Sequence, residues 1–221
     1  SSLQIFSADD NHLTGTLPTE LGMWNVLVVL SIRNNSLTGT IPTELGQLSS
    51  MQGIDLSYNS MHGTIPTEFQ LLYSLNSLHL TNNAFVGTLP DVSFRVSSKF
   101  QDYDVSSNEF GGTIPPWLGE MTSLYHLGLS ENSFTGTIPT ELGQMTSLQF
   151  ADLSDNDLTG TLPTELGQWH VLMTLDISGN ALTGTLPTEL AQISNLTQFA
   201  FSLNDLTGSV SRTLCAEDKL W

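Results

Sequence analysis

Leu37-Thr38-Gly39-Thr40-Ile41-Pro42-Thr43-Glu44-Leu45-Gly46 is the phrase from which the rest of the chain can be read. It returns, with small changes, along almost all of the 221 residues. Its first glycine falls at Gly15, Gly39, Gly63, Gly87, Gly112, Gly136, Gly160, Gly184 and Gly208, at gaps of 24 residues with one of 25 between Gly87 and Gly112. A fixed period of this length means a solenoid, in which each repeat is one coil stacked on its neighbours.

Each coil can be read by counting from that glycine. Asparagine stands four residues before it in every copy, from Asn11 and Asn35 through Asn156 to Asn204. Apolar residues stand twelve, nine and seven before it, as in Leu27, Leu30 and Ile32. The nine–seven pair is strand alternation, with both side chains on one face. Each coil is therefore expected to give one short strand, and the strands to stack in parallel about 4.8 Å apart. Inside the coil, the asparagine amide is expected to satisfy backbone groups of its own and the next turn. Apolar residues two before and two after the glycine, leucine six after it and an apolar residue nine after it complete the core. The proline three after it lacks an N–H and fixes φ, so a short helical turn rather than a long helix is expected.

The net charge is −17, from 22 acidic groups against 5 Lys and Arg. Nucleic acid and anionic lipid both require a basic face, so both are excluded as partners. An acidic surface favours solubility and attracts cations or basic partners. The lone Cys215 makes neither a disulfide framework nor a metal site. No apolar run is long enough to insert this segment into a membrane. Ser1-Ser2-Leu3-Gln4 already lies within a repeat, so the chain reads as an excised or mature segment of something longer.

Taken together, LxxLxLxxNxLxGxIPxxLGxLxxL resembles the plant-type leucine-rich repeat, with nine copies in register over essentially the whole chain. The wording TGTIPTELG is especially like leucine-rich-repeat proteins of algae such as diatoms, and like receptor ectodomains of this type. The resemblance implies a right-handed, curved or twisted α/β solenoid. It puts a parallel β-sheet on the concave face, a second short strand around LxGxIP, and short helical or 3-10 turns on the convex side. Members of the family are recognition modules: receptor ectodomains, enzyme inhibitors and, occasionally, ice-binding proteins.

Two stretches depart from the pattern. Residues 88–112 lack the TELG step, carry one extra residue and contain Arg95 and Lys99, so a local bulge or loop is expected there. At the ends, Leu3 and Phe6 lack a cover, and Val210 to Cys215 resembles the start of a cap whose second cysteine is missing. The domain assignment is 1–215 for the repeat domain, irregular at 88–112, and 216–221 for a remnant of a C-terminal cap or tail.

Function must then lie in the columns that vary between coils. Side chains ten, eight and six before the glycine are expected to point outward from the sheet. They bring Asp55, His79 and Asp104 together, place Asp102 beside His126, and set Asp152 beside Asp176, with Phe150 as a further anchor. Adjacent like charges in a sheet are destabilising, which points to a strip that binds a basic peptide, a cation or a polyhydroxylated ligand. No closed set of metal ligands and no nucleophile with a base is recognisable, so neither metal, cofactor nor catalysis is expected. The reading is a non-catalytic module that binds a protein, peptide or glycan across the concave sheet, secreted or on the outer face of a membrane. It is compatible with a fragment of a receptor kinase whose enzyme domain lies elsewhere.

Two alternatives stand beside it. Thr14, Thr16, Thr38, Thr40, Thr135, Thr137, Thr159, Thr161, Thr183 and Thr185 flank the repeat glycines and form a ladder similar to that of solenoid ice-binding proteins. A structural or assembly role in a larger complex is the other. Asn34 and Asn195 head N-x-S/T sequences and are candidate glycosylation acceptors.

Overall fold

The computed structural model describes residues 2–90 and 99–210. The chain divides into two compact units, Ser1–Gly111 and Gly112–Trp221. Arg95, Cys215 and the tail at 216–221 lie outside the described residues, as do residues 91–98 of the stretch where a bulge is expected and most of the expected cap.

In the first unit, the strands Ile5–Ser7, Val29–Ser31, Gly53–Asp55, Ser77–His79 and Asp102–Asp104 pair in sequence order, all parallel and in step. The second unit repeats this with His126–Gly128, Phe150–Asp152, Thr174–Asp176 and Gln198–Ala200. Each strand is three residues long, because a single inward residue sits between two outward ones before the chain turns. Both units are solenoids of parallel strands.

The turn out of each strand has a fixed form. The residue five before the repeat glycine is left-handed in all nine coils, including Tyr58 at φ 55°, Glu131 at 51° and Leu203 at 55°. Non-glycine residues seldom adopt this conformation, so the surrounding hydrogen bonds must impose it. They come from the neighbouring asparagine. Asn156 Nδ2 donates to the carbonyls of Leu153 and Ser154 in its own coil and of Leu129 in the coil before, while its Oδ1 accepts from the Phe134 N–H. The ladder thus runs back to the preceding coil, where the sequence suggested the next one.

A second set of short strands follows. Thr14–Gly15 pairs with Ser36–Leu37, and His62–Gly63 with Ala84–Gly87, which pairs with Glu109–Thr113. In the second unit Ser133–Gly136, Asp157–Gly160, Ala181–Gly184 and Asp205–Leu206 pair in succession. Here the register slips: Thr135 lies opposite Asp157, not Thr159.

The TGT phrase is used for stacking. Gly39 has φ +79°, and a Cβ there would lie 2.6 Å from Thr16 Cγ2 of the coil before. Both facts require glycine. Thr16 thus lays its methyl on the next coil's glycine, and Thr40, Thr137 and Thr161 do the same. The threonine on the other side turns its hydroxyl inward: Thr38, Thr135, Thr159 and Thr183 each donate to the glycine carbonyl of the coil before.

After the proline comes a five-residue 3-10 helix, from Thr19–Met23 and Thr43–Gln47 to Thr188–Gln192. The expected short helical or 3-10 turns are therefore 3-10 in every described case. Their glycine has its own reason: a Cβ on Gly46 would meet the Glu68 carbonyl of the next coil at 2.6 Å.

The apolar columns form the core. Leu27, Leu45, Leu78, Leu127, Phe134, Leu142 and Leu175 are fully buried. Each such side chain stabilises by about 1.5–3 kcal/mol relative to exposure. Around the irregular coil the missing leucine is replaced by rings. Phe69, Phe85, Phe100, Tyr103 and Phe110 are all buried, with Phe85 and Phe110 stacked at 6.3 Å and Phe100 edge-on to Tyr103 at 5.7 Å. The Tyr103 hydroxyl has no hydrogen-bond partner among the described residues, and burial pushes its pKa up. At the ends, Leu13 and Val210 occupy core columns but are exposed. No helix among the described residues is long and apolar enough to cross a membrane.

Candidate functional site

The outward positions of the three-residue strands define one face in each unit. In the first unit this face is organised by His79, which is half-buried. Its Nε2 donates to Asp102 Oδ1 at 3.1 Å, and its Nδ1 lies 3.9 Å from Asp55 Oδ2. These two carboxylates, Asp102 first and then Asp55, push His79 up to about 10, against the opposing effect of burial. Burial also works against ionisation of Asp55, but hydrogen bonds from His79 and Ser57 outweigh it and hold the carboxyl below its ordinary value. His79 is thus an imidazolium at neutral pH, fixed between two carboxylates of the coils on either side.

The expected trio does adjoin, with Asp55, His79 and Asp104 in register on successive strands, but the third member is not the group that His79 bonds. Asp104 is the register partner of His79. Its carboxylate is occupied instead with its own coil, accepting from the Ser106 N–H at 3.0 Å. His79 reaches diagonally to Asp102.

The same local device recurs. Asp55, Asp152 and Asp176 each accept the N–H of the serine two residues on. At Asp152 and Asp176 the serine hydroxyl also donates, at 2.7 and 2.6 Å. An aspartate that bonds the backbone two residues on is a turn former. The sequence signal is Asp-x-Ser, present at Asp55-Leu56-Ser57, Asp104-Val105-Ser106, Asp152-Leu153-Ser154 and Asp176-Ile177-Ser178. It accounts for four of the six serines in the column six before the glycine, Ser130 and Ser202 following Gly128 and Ala200 instead. Ser57, Ser106, Ser130 and Ser154 are buried, where an outward, solvated column was expected. Small residues stand there because the turn folds over them.

In the second unit, His126 and Phe150 are register partners, with their rings edge-on at 6.4 Å. Asp152 and Asp176 lie directly opposite each other on adjoining strands, both half-buried. Tyr125, Phe150 and Met173, from three successive coils, are 37%, 38% and 39% exposed.

The threonine columns lie elsewhere on each coil. Thr14, Thr16, Thr38, Thr40, Thr135, Thr137, Thr159, Thr161, Thr183 and Thr185 are all exposed. The candidate glycosylation acceptors are also exposed. Asn34 is left-handed, and its Nδ2 donates to Asp10 Oδ1 at 2.7 Å.

Family models described as leucine rich repeat match residues 25–85 and, in three copies, 123–145, 147–169 and 171–193, together more than half of the chain. No curated protein matches. Among solved structures, the chain is similar to the ectodomain of the plant membrane receptor kinase GASSHO1/SCHENGEN3 from Arabidopsis thaliana, crystallised with CASPARIAN STRIP INTEGRITY FACTOR 2. Identity is 35% and the TM-score 0.95, over 99% of this chain and 26% of that one. It is similar to the Arabidopsis receptor kinase HAESA, solved with the peptide hormone IDA and the co-receptor SERK1, at 31% identity and TM-score 0.93, over 97% of this chain and 36% of that one. It is also similar to a plant ice-binding protein, at 27% identity and TM-score 0.72, over 92% of this chain and 73% of that one. The chain thus spans about a quarter to a third of the two receptor structures.

Proposed function

The chain belongs to the leucine-rich-repeat family, and from that premise we propose that it is a non-catalytic recognition module that binds a protein or peptide through its strand face, outside the cell. One observation carries the reading. In the ordinary coils the asparagines, the TGT threonines and the glycines are engaged with the next or preceding coil. The positions ten and eight before the glycine vary in chemistry and are for the most part left accessible, from Ile5 and His79 to Phe150 and Asp176. Similarity to two receptor ectodomains solved with their ligands supports the same class of partner and an extracellular location. The test is a binding screen of the purified chain against peptides and secreted proteins, repeated with Phe150→Ala and Asp104→Asn. Ligands that bind these variants as tightly as the parent count against the strand face.

A second reading, ice binding through the threonine columns, is favoured by the similarity to the plant ice-binding protein. Inward hydrogen bonds engage one column, so Thr137, Thr161 and Thr185 are the residues whose hydroxyls would face a lattice. Recrystallisation inhibition that disappears in Thr161→Lys would establish it; no inhibition at high protein concentration removes it.

A further inference from the structure

The strand face of the second unit combines two features that select one kind of ligand. The first is charge. Residues 112–210 contain ten Asp and Glu and no Lys or Arg. Asp152 and Asp176 are the pair most exposed to this imbalance, because register sets them opposite each other one strand apart. Each spends its Oδ1 on a serine N–H and hydroxyl. That leaves two Oδ2 atoms, on half-buried groups, with no cation of the described residues near them. Like charges facing each other across a sheet repel, and a cation lodged between them reverses that cost.

The second feature is apolar surface. Phe150 stands two residues before Asp152 on the same strand and face. Its side chain is more than a third exposed. Two residues along a strand span about 7 Å. The face therefore offers an apolar contact and an anionic contact at the spacing of alternate side chains in an extended peptide.

We propose that this face takes an extended peptide segment that carries Lys or Arg two residues away from an apolar side chain. The apolar side chain lies on Phe150, and the cation sits between Asp152 and Asp176. This rests on the strand-face reading above and narrows it to one unit and one ligand chemistry. A bare divalent cation suits the site poorly. No group of three or more His, Cys, Asp or Glu among the described residues is placed to hold a metal, and hard cations require six or more oxygens.

The test uses the whole chain and immobilised peptides in which Arg and Leu stand one, two or three residues apart, each with a control carrying Glu in place of Arg. Binding is expected to favour the two-residue separation and to be lost in the Glu controls. Asp152→Asn with Asp176→Asn should weaken binding about tenfold and remove most of its salt dependence, as for paired interface charges. Phe150→Ala should weaken it at every salt concentration. Asn keeps an oxygen for the serine N–H and relieves the repulsion between the two carboxylates, so melting temperatures should not fall, which separates lost binding from lost fold. If peptides bind and these variants do not weaken them, while Asp104→Asn does, this site is wrong and the strand-face reading stands. Binding displaced by millimolar calcium and indifferent to the leucine overturns the peptide chemistry. If no peptide binds but a folded protein partner is lost on Phe150→Ala, the narrowing fails alone. If no strand-face change affects any ligand, both fail.

Discussion

Nε2 of His79 lies 3.1 Å from Oδ1 of Asp102, one coil further along the chain and two residues away from its own register partner, Asp104. With Asp55 on the other side, the imidazolium ties three successive coils together through side chains alone. Its protonation therefore bears on how firmly those coils hold.

A histidine raised from about 6.5 to about 10 contributes stability that is fully present below about pH 6.5 and is lost as pH rises through about 10. The melting temperature is expected to decline across that window. His79→Gln should melt lower than the parent at pH 6 and lose most of the decline. Asp55 acts in the opposite sense: its lowered pKa contributes stability above about pH 4, lost as pH falls further. Parallel melting curves for parent and variant from pH 6 to pH 10 would show that the pair does not stabilise the fold.

Asn156 makes four hydrogen bonds inside the stack. Asn156→Ala leaves three carbonyls and one N–H without that partner, at about 3–5 kcal/mol in total. The Asn11 side chain, at the exposed start of the same column, bonds within its own coil, to the carbonyls of Ala8 and Asp9. Asn11→Ala is expected to cost about 1 kcal/mol. Urea unfolding of the two variants measures the difference.

Gly15 and Gly39 share a left-handed backbone, at φ +88° and +79°, but a Cβ meets nothing at Gly15 and meets Thr16 Cγ2 at Gly39. Gly15→Ala should cost about 1–2 kcal/mol, from backbone strain alone. Gly39→Ala should cost about 1–3 kcal/mol more, from overlap with the methyl. Thr16→Ser removes that methyl, so the Thr16→Ser, Gly39→Ala double variant should recover most of the extra cost in a double-mutant cycle.

The Tyr103 hydroxyl is buried without a partner among the described residues. Removing an unsatisfied polar group removes its desolvation penalty, so Tyr103→Phe is expected to stabilise by about 1 kcal/mol. Thermal melting decides it: a lower melting temperature would mean that the hydroxyl is satisfied in solution.

Much of this was legible in the residues because each coil repeats the same requirement. Asparagine at Asn35, Asn59 and Asn83 reads as a buried backbone ligand, and the period alone gave strands, stacking and core columns. The second glycine of the phrase carries further information. It is missing at Gln70 and Ala191, and in both cases the coil that follows lacks the Thr-Glu-Leu-Gly step. Elsewhere that step brings a glutamate carbonyl against the glycine, as Glu68 does at Gly46. What could not be read was anything set by offset between coils. Column counting put Asp104 beside His79, where the register has it, but could not show that Asp104 is bonded to Ser106 and that His79 reaches Asp102. Nor could it show the two-residue slip that sets Thr135 against Asp157. The site residues divide in the same way: their columns followed from the period, but their partners depended on side-chain reach.

The threonine-on-glycine and glycine-on-glutamate contacts are made between every ordinary pair of adjoining coils and take nothing from the outward positions. Any ordinary coil therefore offers the same upper and lower surface. Removing or duplicating 24 residues in phase would rejoin surfaces that already match, so the chain can change its length by whole steps while the side chains shown to a partner are drawn anew at each one.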